Sequence, residues 1–144
     1  MTTTLARSGP PFTIGGLGEI AIRCRDIAAM RAFYGGTLGL PVLANRGDGL
    51  TFYRLGEGVG GHIQVLALFA ADGGEVASGP AASLHHIALG LTPQDQERAI
   101  AHYEAIGQPY RIEPFDWIGW RGVFTADPEG NTVELVAKLK EPTA

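Results

Sequence analysis

Two stretches of the chain alternate between apolar and polar positions in the same way. Leu17–Arg23 and His85–Leu91 each contain an Ile-Ala-aliphatic run, and the polar residue just before that run is Glu19 in the first copy and His86 in the second. Alternation with a period of two is typical of a β-strand with one buried face. The pattern therefore predicts a strand that occurs twice, 67 residues apart, with a polar side chain at the same place in each copy.

Each of these predicted strands is followed by the pattern of an amphipathic helix. Asp26 is a favourable N-cap for the first helix, which we expect to end at Gly35-Gly36. Thr92 caps the second helix with Pro93 at its first position, and Gly107 is expected to end it.

Each predicted helix is followed by a β-hairpin. The strands 49–55 and 62–69 form the first hairpin, and 122–126 and 132–137 form the second. When the last strands of the two hairpins are aligned at an offset of 70 residues, Gln64 corresponds to Glu134. A recurrence of four elements in order predicts an α+β fold of two βαβββ units, which form a paired, cupped mixed sheet around a central site.

The chain divides accordingly. We expect an N-terminal arm at 1–16, a single domain at 17–138 and a tail at 139–144. Within the domain, a unit at 17–70 is joined to a unit at 84–138 by a Gly/Ala/Ser-rich linker at 71–83.

Composition narrows the possible functions. The 144 residues fit one domain, and a net charge of −4 with 11 Lys and Arg residues argues against a nucleic-acid partner. No apolar run is long enough to span a membrane and no signal-peptide pattern is present, so we expect a cytoplasmic protein without a membrane partner. The single cysteine, Cys24, excludes an intrachain disulfide and is expected to be a small buried residue.

Strand alternation predicts that four polar side chains share the inner faces of the two units: Glu19, Gln64, His86 and Glu134. Three oxygens and one imidazole nitrogen make a suitable site for a divalent first-row metal ion with open positions for water or substrate. Without a metal, an inward-facing glutamate needs a cationic partner, for which Arg23, Arg54 and Arg121 are the candidates.

Two further histidines lie close to the predicted ligands in the sequence. We expect His85 to lie on the strand face opposite His86 and to be a packing or edge residue. His62 is two residues before Gln64, so it is expected on the same strand face and is an alternative ligand. Its counterpart in the second unit, Thr132, is not a candidate ligand.

A substrate pocket is predicted from aromatic and basic residues. Trp117 and Trp120 flank Arg121, so this segment could form a wall for an apolar group with a guanidinium for a carboxylate or phosphate, or a rim packed on the sheet or against a partner. Phe52 and Leu66 are expected in the core or the pocket wall.

The segments that carry these residues resemble the vicinal oxygen chelate superfamily, the glyoxalase, bleomycin-resistance and extradiol dioxygenase fold. They are Glu19-Ile20-Ala21-Ile22, His85-His86-Ile87-Ala88-Leu89 and the turn and strand Asp127-Pro128-Glu129-Gly130-Asn131-Thr132-Val133-Glu134-Leu135. The motifs are most similar to those of glyoxalase I and methylmalonyl-CoA epimerase. The resemblance implies a metal site (Zn, Ni, Co, Mn or Fe) formed by the same four residues, and a homodimer. The sequence departs from the family in having Glu19 where histidine or glutamine is common.

These observations predict a metal-dependent lyase or isomerase that acts on a small oxygen-chelating substrate, an α-hydroxycarbonyl compound or a thioester, through an enolate. Glu134 or Glu19 would be the base that removes the proton. The alternative is a metal-free protein that binds a small molecule. An extradiol dioxygenase is less favoured because such sites usually contain two histidines and one carboxylate, and a thiol or sugar transferase would need a cosubstrate site that the sequence does not reveal.

Overall fold

The computed structural model describes residues 9–141 and contains two four-stranded mixed sheets. The first sheet is formed by β1 (Glu19–Cys24), β2 (Val42–Arg46), β3 (Leu50–Val59) and β4 (His62–Ala70). The second is formed by β5 (Ile87–Gly90), β6 (Arg111–Phe115), β7 (Trp120–Ala126) and β8 (Thr132–Lys138). Their orders are β1-β4-β3-β2 and β5-β8-β7-β6, so the topology repeats. The predicted α+β fold of two βαβββ units is confirmed.

The helices are the elements between the first and second strands of each unit. Helix α1 (Ile27–Arg31) continues as a π-helix (Ala32–Thr37), and α2 spans Pro93–Ile106. A short 3₁₀ helix (Gly79–Ala81) lies in the connection between the sheets. Among residues 9–141, none of the helices is long and apolar enough to cross a membrane.

The predicted caps of both helices are confirmed. The Asp26 side chain accepts a hydrogen bond from the Ala29 amide, and Thr92 accepts one from the Asp95 amide. Gly107 ends α2 in the left-handed conformation at φ 73°, which costs glycine nothing sterically.

The predicted end of the first helix at Gly35-Gly36 is wrong, because the π-helix continues through both glycines to Thr37. Gly35 lies against the neighbouring strand. A Cβ on Gly35 would lie 3.2 Å from the Tyr53 ring, so glycine here allows the tyrosine to pack against the helix backbone.

The two units share a hydrophobic core. Tyr34 and Leu66 of the first unit are fully buried in one cluster with Ile87 and Val133 of the second. A second cluster lies between α2 and the second sheet and is centred on Tyr103, Val123 and Leu135.

A polar clamp also joins the units. The buried Glu129 carboxylate accepts hydrogen bonds from the backbone amides of Arg25 and Asp26, both at 2.8 Å. The Tyr34 hydroxyl donates to Oδ2 of buried Asp127 at 2.7 Å. The β7–β8 turn therefore holds the start of the first helix in place, and it does so with fully bonded buried carboxylates.

Candidate functional site

One histidine–glutamate pair is formed at the start of the second sheet. Nε2 of His86 lies 3.2 Å from Oε1 of Glu134. Glu134 pairs with Ala88 across the parallel strands β5 and β8, so His86 precedes the strand on the same face. The structure thus brings together two of the four predicted ligands.

The environment of this pair sets the proton affinity of Glu134. Its side chain is only 7% exposed, and burial raises the pKa of Glu134, while His86 and then Arg111 oppose that rise. The side chain of His86 is 33% exposed and connects the carboxylate to the surface. A buried carboxylate with a raised pKa and a hydrogen-bonding imidazole is the arrangement expected of a general base.

The prediction that His85 lies on the strand face opposite His86 is wrong. Its ring lies edge-on to His86 at 5.1 Å, and the two Nδ1 atoms are 2.8 Å apart. β5 begins at Ile87, so His85 lies outside the strand and need not follow its alternation, whereas His86, the residue next to the strand, reaches Glu134. Two facing ring nitrogens form a hydrogen bond only when one is protonated and the other is not.

The face of the second sheet that carries Glu134 also carries residues that sequence reasoning missed. Phe124 pairs with Glu134 in the sheet and contacts the His86 ring at 6.1 Å between centroids. The Arg111 guanidinium lies 4.3 Å over the Phe124 ring and pairs with Glu113. This face therefore combines a base, a cation and an aromatic surface.

Gly122 makes this packing possible. A Cβ at this position would lie 2.3 Å from Oε2 of Glu134 and 2.6 Å from the Phe124 ring. A glycine inside a predicted strand is a sequence signal for close approach of this kind, whereas nothing in the sequence alone distinguishes Arg111.

Gln64 is not on the face predicted for it. In the first unit Glu19 pairs with Val65, so Glu19 shares a strand face with Val65, and Gln64 lies on the other face. Ile20 pairs with Leu66 as Ile87 pairs with Val133, which makes Ala67 the structural counterpart of Glu134. The offset of 70 used to align Gln64 with Glu134 is wrong by three residues.

Glu19 is exposed, and its carboxylate forms no hydrogen bond or ion pair with the rest of residues 9–141. Two of its candidate arginine partners are engaged elsewhere. Arg54 pairs with Glu57 at 2.8 Å, and Arg121 pairs with Glu97 at 2.7 Å. The third, Arg23, is exposed and forms no ion pair in the described part of the chain.

The predicted metal-binding set does not fit this arrangement. His86 and Glu134 converge, but the counterpart of Glu134 is an alanine and Gln64 lies on the other face. No group of three or more His, Cys, Asp or Glu side chains within residues 9–141 is placed to hold a metal ion. His62, the alternative ligand, is exposed and packs beside Gly18.

The predicted pocket residues do not form one wall. Leu66 is fully buried in the shared core. Arg121 faces α2, where its Nε donates to Gln96 at 2.6 Å. Trp117 is 71% exposed in the β6–β7 turn and Trp120 is 42% exposed at the sheet edge, while Phe52 is half-buried opposite Ala67. A cavity of about 700 Å³ lies elsewhere and is lined by His86 and Gln64.

Comparison with known proteins agrees with this architecture. Residues 16–135 match the model of the Glyoxalase/Bleomycin resistance protein/Dioxygenase superfamily, and the chain belongs to this family. No curated protein sequence gives a significant match.

Solved structures show the same fold at low sequence identity. A lactoylglutathione lyase from Agrobacterium tumefaciens is 23% identical with a TM-score of 0.63, covering 90% of this chain and 96% of that one. A glyoxalase/dioxygenase from Nostoc punctiforme is 21% identical with a TM-score of 0.70, covering 95% and 100%. A glyoxalase/bleomycin resistance protein/dioxygenase from Nocardioides is 21% identical with a TM-score of 0.62, covering 92% and 91%.

Proposed function

We propose that the protein is a lyase or isomerase that removes a proton from a carbon next to a carbonyl group of a small molecule. The observation that carries this proposal is the Glu134 carboxylate, which is buried, has a raised pKa and lies 3.2 Å from Nε2 of His86. A base of this kind is stronger than a solvated carboxylate, because burial disfavours the charged form.

The residues on the Glu134 face of the second sheet each have a defined part in this reaction. Glu134 takes the proton, and the electron pair of the broken C–H bond moves through the new C=C bond onto the carbonyl oxygen. His86 donates from Nε2 to Glu134 and so orients the carboxylate. The charge of Arg111, which already lowers the pKa of Glu134, stabilises the negative oxygen of the enolate. Return of the proton to a different carbon completes an isomerisation.

The test is the Glu134→Gln variant, which keeps the shape of the side chain and removes its basicity. We expect solvent-hydrogen exchange at the acidic carbon of a bound carbonyl compound, followed by proton NMR in D₂O, to fall by at least about a thousandfold. Glu113→Gln, on the same face but paired with Arg111, is the matched control and should retain most of the exchange. Equal exchange in wild type and Glu134→Gln would refute the assignment.

In a metal-dependent version of this proposal, the protein binds a divalent metal ion and Glu19 is the base. The donors present favour the version without a metal, because His86 and Glu134 are the only predicted ligands that converge within residues 9–141. Elemental analysis of protein expressed in metal-supplemented medium separates them. One divalent ion per chain would show that further donors complete the site, and it would replace the present proposal.

The second candidate is a binding protein without turnover. The counterpart of Glu134 in the first unit, Ala67, favours it, because the first unit then has no polar side chain at that position. Tight binding of a ligand that is recovered unchanged and unexchanged would support this candidate. A homodimer and a cytoplasmic location stay predictions, which sedimentation and localisation of the tagged protein would test.

A further inference from the structure

The cavity of about 700 Å³ lies between the two units, along the edge strand β5 of the second sheet and beside α2. Leu89 and Leu135 of the sheet and Ala99 of α2 line it from the second unit. The first unit contributes only aliphatic and small polar side chains, which are Leu17, Ile20, Thr37, Leu38, Leu40, Leu55 and Gln64. Its size and largely apolar lining are those of a small-molecule site.

Two polar groups of the lining have bonding capacity to spare. The side-chain amide of Gln64 forms no hydrogen bond with the rest of residues 9–141. Tyr103 is 1% exposed, and its buried hydroxyl has no hydrogen-bond partner among the described residues. Buried polar groups are nearly always bonded in folded proteins. A ligand oxygen in the cavity could therefore bond to the half-buried Gln64 amide without breaking an existing hydrogen bond, whereas the Tyr103 hydroxyl is enclosed by the protein.

The cavity also reaches the histidine–glutamate pair. His86 lines it, and Nε2 of the same residue lies 3.2 Å from Oε1 of Glu134. The polar lining residues of α2, Asp95, Arg98 and His102, are exposed, and apart from His86 and Tyr103 the other lining residues of the second unit are aliphatic or glycine. A flexible apolar chain suits such walls better than a planar aromatic group.

We propose that this cavity binds the aliphatic chain of a straight-chain 2-oxo or 2-hydroxycarbonyl compound, with the oxygenated end directed toward His86. This inference rests on the proposed function for the statement that the ligand is the substrate. The binding itself depends only on the cavity.

Isothermal titration calorimetry of the full chain with pyruvate, 2-oxohexanoate and 2-oxooctanoate tests the binding. Affinity should rise roughly fourfold for each added methylene group that enters the cavity. Ala99→Trp fills the cavity from α2 and should weaken 2-oxooctanoate binding by at least about tenfold. Ala101→Trp is the matched control, because Ala101 is exposed on the same helix and does not line the cavity, and it should bind as wild type does.

A second variant keeps the inference testable if Ala99→Trp does not fold. Gln64→Leu nearly preserves the volume and removes the amide, so it should weaken 2-oxooctanoate binding several-fold while a circular dichroism melt stays unchanged. Affinity that is independent of chain length, or equal weakening by Ala99→Trp and Ala101→Trp, would overturn the inference. So would a change from dimer to monomer in sedimentation of Ala99→Trp without any change in binding, because the groove would then be covered by a second copy.

The Glu134→Gln variant separates this inference from the proposed function. If it binds 2-oxooctanoate as wild type does and has lost hydrogen exchange, both stand. If it binds normally and also exchanges normally, the cavity stands and the proposed base is wrong. If hydrogen exchange depends on Glu134 while no straight-chain compound binds, the base stands and the cavity inference is wrong.

Discussion

Three buried tyrosines differ in what their hydroxyl groups contact, and they allow one chemical change to be compared in three settings. The Tyr34 hydroxyl donates to Asp127 at 2.7 Å, and the Tyr53 hydroxyl lies at 3.5 Å from the Arg31 carbonyl. The Tyr103 hydroxyl has no partner within the described residues. All three side chains are at most 2% exposed, so replacement by phenylalanine changes the hydrogen bonding and hardly changes the packing.

The expected effects follow from the partners. Burial and the Asp127 carboxylate raise the pKa of Tyr34, so its hydroxyl stays a donor at all accessible pH values. Loss of a hydrogen bond to a charged group costs about 1.5–3 kcal/mol. Asp127 keeps the bonds from Asn131 and from the Glu129 amide, so its charge stays satisfied and the loss should be near ~2 kcal/mol. Tyr53→Phe should change stability by less than about 0.5 kcal/mol, and Tyr103→Phe should stabilise by about 1 kcal/mol.

Urea unfolding followed by circular dichroism measures these differences, and thermal unfolding checks their order. A loss of about 2 kcal/mol corresponds to a Tm lower by roughly 6 °C in a domain of this size. Equal destabilisation by all three replacements would refute the reasoning, because it would mean that side-chain packing and not hydroxyl bonding controls these positions. An unchanged Tm in Tyr34→Phe would show that the β7–β8 turn does not clamp the first unit.

Three shorter predictions concern the site and the core. Gly122→Ala should displace the Glu134 carboxylate and lower hydrogen exchange by about tenfold or more, whereas Gly56→Ala, in a strand position with open space around it, should not. Burial raises the pKa of Glu134 above 4.5, so its protonated form stabilises the folded protein below that pH, and this stabilisation is lost as the pH rises and the carboxyl ionises. The Glu134→Gln variant should therefore melt above wild type near about pH 7 and match it near about pH 3.5. Burial raises the pKa of Cys24 to about 12, so its thiol should not react with Ellman's reagent until the protein unfolds.

Much of the fold could be predicted from the sequence because its signals are local. Asp26, Thr92 and Gly107 act within one helical turn, and each does what its chemistry predicts. The close approach of Gly35 to the Tyr53 ring was not predictable, because Tyr53 belongs to another element. The partners of Glu129 and Asp127 likewise lie about a hundred residues away in the chain.

Strand geometry explains why the convergence of His86 and Glu134 could be predicted and the placement of Gln64 could not. The last strand of each unit pairs in parallel with the first, with Glu19 beside Val65 and Ile87 beside Val133, which is a separation of 46 residues in both units. Side chains share a face only when their separation differs from 46 by an even number. His86 and Glu134, 48 residues apart, satisfy this condition, and Glu19 and Gln64, 45 apart, do not. Similarity of the runs around Gln64 and Glu134 could not reveal a shift of three residues, because apolar strands look alike at any offset.

The same shift explains why Gln64 is free to serve the cavity. Moved off the face of Glu19, its amide lies with Ile20 and Leu55 on the side that faces the second unit. Of the four predicted ligands, His86 is the one that contacts both the Glu134 carboxylate and the cavity, which it lines together with Gln64. The two units thus repeat in topology but not in chemistry. The second unit provides the buried carboxylate, and the first, with Ala67 in the corresponding place, provides aliphatic surface and the Gln64 amide to the cavity.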